Sequence, residues 1–320
     1  ISALRESDGS IVSSPADLCR LLSSFHFDLF TASDTDPCAQ SALLGNLSSV
    51  LPSDQAALCG GHLSATEVSS ALLGMARCKA PGLDGLLVEF YIKFWDVLSQ
   101  DLVSVLNSCL DSGSLALSQR RGIISLSFKK GDCLDPRNWH PITLPNVDYK
   151  LASCAIAGRL LKVIHLVVAK DNTCGVPGRF IGENVALLRD VADYASSSGT
   201  SVAILSLDQE KAFDRVDWSF MQSTLCTMGF GPSFISWVDL FYHRVQSAVN
   251  VNGYLSSFFS LSCGVRQGCP LSPLLHVLVS KVLAVNICCN PRISGLSSWG
   301  ASAFSNLSVC GRYVSYLNIG

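Results

Sequence analysis

The chain has 320 residues, of which 48% are hydrophobic and 15% are charged, and its formal net charge is −2. This length and composition allow a sizeable core in one large domain or two smaller ones, which excludes a protein that is disordered throughout. Because 23 Lys and Arg residues are offset by 25 Asp and Glu residues, no overall positive field favours a nucleic-acid partner, and local patches would have to bind one.

Fourteen cysteines are scattered through the chain without a CxxC pair, and the six histidines show no zinc-type spacing with them. We therefore expect reduced, mostly buried thiols and no structural metal site. The start has no basic flank followed by an apolar core, so we expect no secretion signal and an intracellular location, in the cytoplasm or the nucleus. The first residue is Ile1 rather than Met, which suggests a fragment.

Residues 1–60 mix short helical patterns with Ser, Asp and Pro, which predicts a linker or helical lead-in. A capping box follows, with Ser64 three residues before Glu67, and predicts the start of a helix. Between Leu87 and Val105, apolar residues recur at three- and four-residue steps and predict a second helix.

The stretch "RRGIISLSFKKGDCLDPRNWHPITL", residues 120–144, predicts two strands joined by a turn-rich loop. It carries the cations Arg120, Arg121, Lys129, Lys130 and Arg137. Such a basic hairpin is either a solvated surface or a phosphate-binding loop. Helices are predicted over 147–169 and 182–195.

The run Val202, Ala203, Ile204, Leu205 and Leu207 is apolar on both faces, which predicts a strand that is covered on both sides. It ends at Asp208, which either starts a turn or lies where open α/β sheets bind their ligands. Asp214 and Asp217 are further candidate metal ligands, although acids near a helix start are also favoured by the helix dipole. A helix is predicted over 217–228.

A hairpin is predicted across the Asn252–Gly253 turn, and the loop "RQGCPLSP" leads into a helix with Ser272 as N-cap. The apolar stretch 274–289 falls short of the ~20 residues of a membrane span and predicts a buried helix with no membrane partner. Residues 291–320 form a Ser- and Gly-rich tail without a clear period.

Five motifs follow one another over about residues 64–290: "KAPGLDG", "KKGD…NWHPITL…DYKLA…GRL", "VPGR…EN", "SLDQEKAFDRVDW" and "GVRQGCPLSP". In this order the chain resembles the reverse transcriptase domain of non-LTR (LINE-type) retrotransposons. The resemblance implies an α/β (α+β) fold: a polymerase right hand with fingers and an antiparallel palm sheet flanked by helices, the thumb missing. Fingers and palm would occupy 61–290, after the lead-in of 1–60 and before the degenerate tail of 291–320.

The resemblance also implies a site. Asp208 would be the catalytic ligand of two Mg²⁺ ions, which in this family bridge the primer's 3′ oxygen and the diphosphate leaving group of the incoming nucleotide. Lys129 would neutralise the triphosphate and Phe213 would exclude a 2′-OH. The pocket floor would be formed by Gln267 and Gly268, with Arg266 nearby. The implied partners are an RNA template, a DNA primer and dNTP.

The chain departs from the family pattern in its carboxylates. A hairpin after the "RQGCPLSP" motif carries Tyr-Ala-Asp-Asp in the family, and its first Asp is the second metal ligand. Here Tyr316 would stand for that tyrosine and Leu317, Asn318 and Ile319 for the rest, and Asp239 is the last acidic residue. We therefore expect a catalytically inactive domain that lacks this second carboxylate.

Two further departures point the same way: His140 replaces a family Arg and Phe128 a family Pro. The thumb, an upstream endonuclease and a downstream nucleic-acid-binding region are also expected in the family and not found here. Two alternatives remain open. One is a non-enzymatic nucleic-acid-binding or interaction module with the same fold. The other is an unrelated α/β enzyme that uses Asp208, against which stand the motif order and the lack of a GxGxxG loop.

Overall fold

The computed structural model describes residues 1–170, 172–173, 175–199 and 202–293, together with the strand backbone of 306–309 and 312–318. Its α-helices are α1 (Pro15–Leu29), α2 (Pro37–Leu44), α3 (Ser53–Ala57), α4 (Ala65–Gly74), α5 (Val88–Lys93), α6 (Trp95–Ser112), α7 (Leu117–Arg120), α8 (Val147–Val167), α9 (Ile181–Ser198), α10 (Trp218–Thr227), α11 (Pro232–Tyr242) and α12 (Ser272–Cys289). Its strands are β1 (Leu4–Arg5), β2 (Ile11–Val12), β3 (Arg121–Phe128), β4 (Trp139–Pro145), β5 (Val202–Asp208), β6 (Gln246–Val251), β7 (Tyr254–Leu255), β8 (Phe259–Ser260), β9 (Asn306–Val309) and β10 (Arg312–Asn318). The predicted mixture of helices and strands is confirmed.

A five-stranded sheet carries both predicted hairpins. Its order is β4-β3-β6-β7, with β8 also paired to β6. Strands β3 and β4 are antiparallel, whereas β3 and β6 are parallel. Asn252 and Gly253 have φ values of +53° and +92° between β6 and β7, as the tight turn of a two-residue hairpin requires.

The strand that ends at Asp208 belongs to a second sheet, with the order β5-β10-β9 and antiparallel pairing throughout. The expectation that this strand is covered on both faces is wrong, because Ile204 is 48% and Leu205 is 46% exposed. An apolar run reports the preference of branched residues for extended backbone, but it does not specify what covers the strand.

The N-terminal residues pack on the five-stranded sheet. Leu18 and Leu22 of α1 are buried in one cluster with Val245 and Val249 from the β6 region. The helices within residues 1–60 agree with a helical lead-in, but this packing is not that of a linker. The domain boundaries at residues 60 and 290 stay a prediction. Most of the predicted tail, 291–320, lies outside the described residues.

The largest core surrounds α8, in which Leu160 and Ile164 are fully buried. The predicted capping box opens α4: the Glu67 amide donates to Ser64 Oγ, and the Ser64 amide donates to Glu67 Oε2. The helices predicted over 147–169, 182–195 and 217–228 are confirmed as α8, α9 and α10 within three residues at each end. The helix predicted between Leu87 and Val105 is divided at Phe94 into α5 and α6.

One expectation about α12 is wrong. Leu271 rather than Ser272 is its N-cap, and no side chain caps it. The Ser272 hydroxyl lies instead 3.2 Å from the Tyr242 hydroxyl, where it satisfies a buried group of α11. The helix is long and apolar enough to cross a membrane by length and composition, and half of it is buried inside the fold.

All twelve cysteines within the described residues are free thiols. Five are buried, one is half-buried and six are exposed, so the expectation of mostly buried thiols is wrong. The apolar patterns that predict burial are set by neighbouring residues, and a small side chain such as Cys fits either environment.

An ion pair between the buried Arg159 and the half-buried Glu67 connects α8 to α4. The Arg159 guanidinium donates to both carboxylate oxygens of Glu67, at 2.6 and 2.9 Å, and to the carbonyl oxygens of Gly60, Gly61 and His62. The hydrogen bond from Arg159 is the largest reason why the pKa of Glu67 falls to about 2. The contact joins chain segments that are 92 residues apart.

We predict that Arg159→Met destabilises the fold by about 3 kcal/mol, because it leaves three carbonyls and a carboxylate without their donor. The matched control is Arg189→Met in an exposed pair with Asp190, expected to change stability by less than about 0.5 kcal/mol. Urea unfolding measures both. The folded pKa of Glu67 lies below its unfolded value, so its contribution is complete above about pH 4.5 and is lost as the pH falls toward 2. A difference between the Arg159→Met variant and the unmodified chain that persists unchanged at pH 2 would contradict the assignment.

Candidate active site

The basic hairpin and the loop after β5 enclose a cleft of about 540 Å³. Residues 129–130 and 137–140 line one side, residues 208–214 line the other, and Gln267 completes it. Four residues predicted for the site therefore meet in one cavity: Lys129, Asp208, Phe213 and Gln267.

The hairpin loop is held in place by its own backbone and by the N-terminal strand. The Lys129 amide donates to the Asn138 carbonyl at 3.0 Å, which closes the hairpin beyond the last β3–β4 pair. Arg5 of β1 donates its amide to the Leu134 carbonyl and pairs with Asp132 at 2.9 Å. The loop thus presents Lys129, Lys130 and Arg137 to the cleft, whereas Arg120 and Arg121 of the predicted basic set do not line it.

Lys211 connects the two walls of the cleft. Its φ of +53° is a left-handed conformation that is uncommon outside glycine. Its ammonium donates to the Arg137 carbonyl at 3.1 Å. Lys211 lies within the "KAFD" motif, but no local pattern predicts its role, because the contact spans 74 residues of sequence.

Asp208 ends β5 beside the β9–β10 hairpin. In the backbone register Arg312 lies opposite Asp208, and Val309 lies opposite Arg312. Tyr316 and Asn318 pair with Ile204 and Val202, so Asn318 is six residues, roughly 20 Å, along the strand from the Asp208 position. Tyr316 and Asn318 therefore do not lie opposite Asp208, and Ile319 lies outside the described residues.

Gln267 is positioned from two directions. Its side-chain amide donates to Asp214 Oδ1 at 2.8 Å, and its carbonyl accepts from the Thr143 amide of β4 at 2.7 Å. Gly268 follows with a φ of +113°, and a Cβ there would lie 2.2 Å from the Thr143 carbonyl oxygen. Gly268 therefore allows the close approach of two backbones and does not itself line the cleft.

Arg266 is not in the cleft, contrary to the expectation that it lies near a bound nucleotide. It is 3% exposed, its guanidinium lies 5.3 Å from the centre of the Tyr149 ring, and it donates to the Arg120 carbonyl. A planar cation that stacks on an aromatic ring is stabilised there without a carboxylate. Arg266 thus connects the end of α7 to α8.

Phe213 lines the cleft and stacks on His276 of α12, with ring centres 4.5 Å apart and planes at 12°. Its carbonyl accepts from the Val265 amide at 2.7 Å, so backbone and ring are both held. No local sequence pattern predicts this contact, because Phe213 and His276 lie far apart in the chain.

The cleft carries side chains of both charges. Lys129, Lys130, Arg137 and Lys211 line it together with the carboxyl groups of Asp208, Glu210 and Asp214. The Arg137 guanidinium is already paired with Asp135 at 2.7 Å, so the three lysines are the cations that can meet a phosphate group. Burial lowers the pKa of His140, and the charges of Lys129 and Lys211 lower it further, so its imidazole is neutral at pH 7.

Asp214 is 1% exposed, and burial is the main reason why its pKa rises to about 6. The Gln267 amide and the charges of Lys211 and Arg215 oppose that rise. Asp214 thus positions the Gln267 side chain. Because it is buried and already paired, it is a poor metal ligand. Within the described residues, no group of three or more His, Cys, Asp or Glu side chains could hold a metal ion, and the residues present do not fit a two-metal centre.

The family model described as reverse transcriptase (RNA-dependent DNA polymerase) matches residues 128–287, which is half of the chain. The chain belongs to the reverse transcriptase family. The matched residues include both walls of the cleft and the Gln267 loop, so the site described above lies within the reverse transcriptase domain.

This reverse transcriptase domain is similar to proteins of mobile elements. It is 40% identical over 278 residues to the transposon TX1 uncharacterized 149 kDa protein of Xenopus laevis, covering 87% of this chain and 21% of that protein. It is 27% identical over 200 residues to the retrovirus-related Pol polyprotein from type-2 retrotransposable element R2DM of Drosophila melanogaster, covering 62% and 18%. It is 27% identical over 219 residues to the RNA-directed DNA polymerase from mobile element jockey of the same species, covering 66% and 23%. The chain spans about a fifth of these relatives, and the predicted resemblance to LINE-type reverse transcriptase domains is confirmed.

We predict that Asp214→Asn stabilises this reverse transcriptase domain by about 2 kcal/mol at pH 8, because it removes a buried charge and keeps an acceptor for Gln267. The folded pKa of Asp214 lies above its unfolded value of 3.8, so the cost of its charge grows as the pH rises from about 4 to 6. The gain should vanish at pH 4. Urea unfolding at both pH values measures it, with exposed Asp101→Asn as the control, and an equal effect at both would contradict the pKa assignment.

Proposed function

We propose that this chain is the fingers and palm part of an RNA-directed DNA polymerase, and that it binds nucleotide and nucleic-acid phosphates without catalysing nucleotidyl transfer. In this proposal the β3–β4 hairpin belongs to the fingers, and the β5-β10-β9 sheet is the antiparallel palm sheet. RNA template, DNA primer and dNTP are the proposed partners, by family membership.

The cations of the cleft support a phosphate site. Lys129 and Lys130 come from the hairpin and Lys211 from the opposite wall, so a triphosphate between them would contact both sides. Charge-assisted hydrogen bonds to phosphate are about twice as strong as neutral ones. We propose that Lys129 neutralises the triphosphate, Phe213 contacts the sugar, and Gln267 forms the floor with its backbone held by Gly268.

One observation carries the proposal of inactivity: the backbone register between β10 and β5. The hairpin that follows the "RQGCPLSP" motif lies beside Asp208, but the residues there are Val309 and Arg312 rather than acids. Two-metal catalysis holds two divalent ions ~3.5–4 Å apart, which requires more than one carboxylate. Asp208 is the proposed family metal ligand, and no Asp or Glu after Asp239 can complete the pair.

We predict that the purified chain does not extend oligo(dT) on poly(rA) with either Mg²⁺ or Mn²⁺. Asp208→Ala should give the same background, and an active reverse transcriptase in parallel shows that the assay works. Circular dichroism confirms that both chains are folded. Extension that disappears in Asp208→Ala would show that another group completes the metal site and that the domain is active.

We also predict that Lys129→Met weakens binding of a fluorescent dATP derivative about tenfold, which corresponds to one charge-assisted contact. Anisotropy titrations in EDTA separate this contact from any metal effect. Lys162→Met is the matched control, because Lys162 is exposed on α8 away from the cleft. Equal affinity of the two variants would reject the cleft as a phosphate site, whereas retained binding without extension favours the non-enzymatic binding module.

A further inference from the structure

A second cavity, of about 630 Å³, lies behind the loop that follows β5. Helices α2, α10 and α12 form most of its wall, which is mainly apolar and includes Phe220, Val279 and Leu283. Residues 209, 210 and 212 line both this cavity and the cleft. A single loop therefore separates the two spaces.

One polar group in this wall has no hydrogen-bond partner. The His276 side chain is 3% exposed and lines the cavity, and its ring stacks on Phe213. It makes no hydrogen bond within the part of the chain that the structure describes. Burial lowers the pKa of His276, so its ring is neutral, with one N–H donor and one acceptor nitrogen. Since His276 lines the cavity and makes no hydrogen bond to the described protein, a molecule in the cavity can pair with its imidazole.

We propose that this cavity binds a planar, uncharged aromatic small molecule that packs between the apolar walls and forms a hydrogen bond with His276. The inference goes beyond the proposed function, because it concerns a separate cavity and requires neither nucleotide nor catalysis. The volume lies within the ~300–1,000 Å³ of typical small-molecule sites.

The charges around the cavity argue against an anionic ligand. Asp36, Glu210 and Asp217 line it together with a single cation, Arg215. Asp36 and Asp217 accept from backbone amides at the starts of α2 and α10. An anion such as a nucleotide is repelled here, whereas three lysines line the cleft on the other side of the loop.

The hydrogen bond is tested with two probes of the same shape, 2-naphthol and naphthalene, in fluorescence titrations of the full chain. The naphthol hydroxyl can donate or accept, so it suits either tautomer of His276. We expect 2-naphthol to bind about fivefold more tightly than naphthalene, as a single hydrogen bond contributes. In His276→Phe, which keeps a ring over Phe213, the two affinities should become equal while naphthalene binds as before.

The cavity is tested with Ala39→Trp. Ala39 is exposed on α2 at the cavity wall, so an indole there fills the space without disturbing the core. Binding of both probes should fall at least tenfold, whereas Ala57→Trp, on exposed α3 outside the cavity, should leave it unchanged. Thermal unfolding confirms that both variants fold.

The results separate two parts of the proposal. No binding to the unmodified chain, or equal binding to Ala39→Trp, would overturn the cavity as a ligand site. A naphthol preference that survives in His276→Phe would overturn the imidazole as the anchoring group.

Discussion

The hydrogen bond between the Gln267 amide and the buried Asp214 carboxyl holds the cleft together. It joins the loop after β5 to the loop before α12, and the Gln267 carbonyl is paired in turn with Thr143 of β4. Three chain segments, remote in sequence, therefore meet at one residue. The arrangement is costly, because a buried carboxylate with one neutral partner keeps little of the solvation it had in water. Burial of Asp214 therefore lowers the stability of the fold, but it holds the Gln267 side chain in position in the cleft.

The loop after β5 also holds two cationic segments of the chain together. Lys211 adopts a left-handed backbone conformation and reaches the Arg137 carbonyl, so two cationic segments stay close to each other despite their mutual repulsion. Salt screens charges beyond ~10 Å, so the potential within the cleft depends on these neighbours and hardly on the net charge of the chain. A formal charge of −2 for the whole chain therefore does not argue against the proposed phosphate site.

Packing and chemistry are separable in this fold. The core around α8, the Arg159–Glu67 pair and the stack of Phe213 on His276 need no second carboxylate beside Asp208. Loss of that carboxylate would leave the contacts of the core unchanged. This separation makes an inert polymerase fold physically reasonable, and it explains why fold and family membership do not establish activity.

The sequence by itself determined the features that depend on neighbouring residues. The capping box of α4, the Asn252–Gly253 turn, the ranges of α8 and α10 and the family motifs all follow from local patterns, because hydrogen bonds and backbone preferences act over a few residues. The family motifs also predicted that one site contains Lys129, Asp208, Phe213 and Gln267. Only the tertiary structure decided that Arg266 turns away to stack on Tyr149, that Asp214 supports Gln267, and that Arg312 rather than Asn318 lies opposite Asp208. These are contacts between distant segments, and their geometry depends on strand register and core packing, which no local pattern encodes.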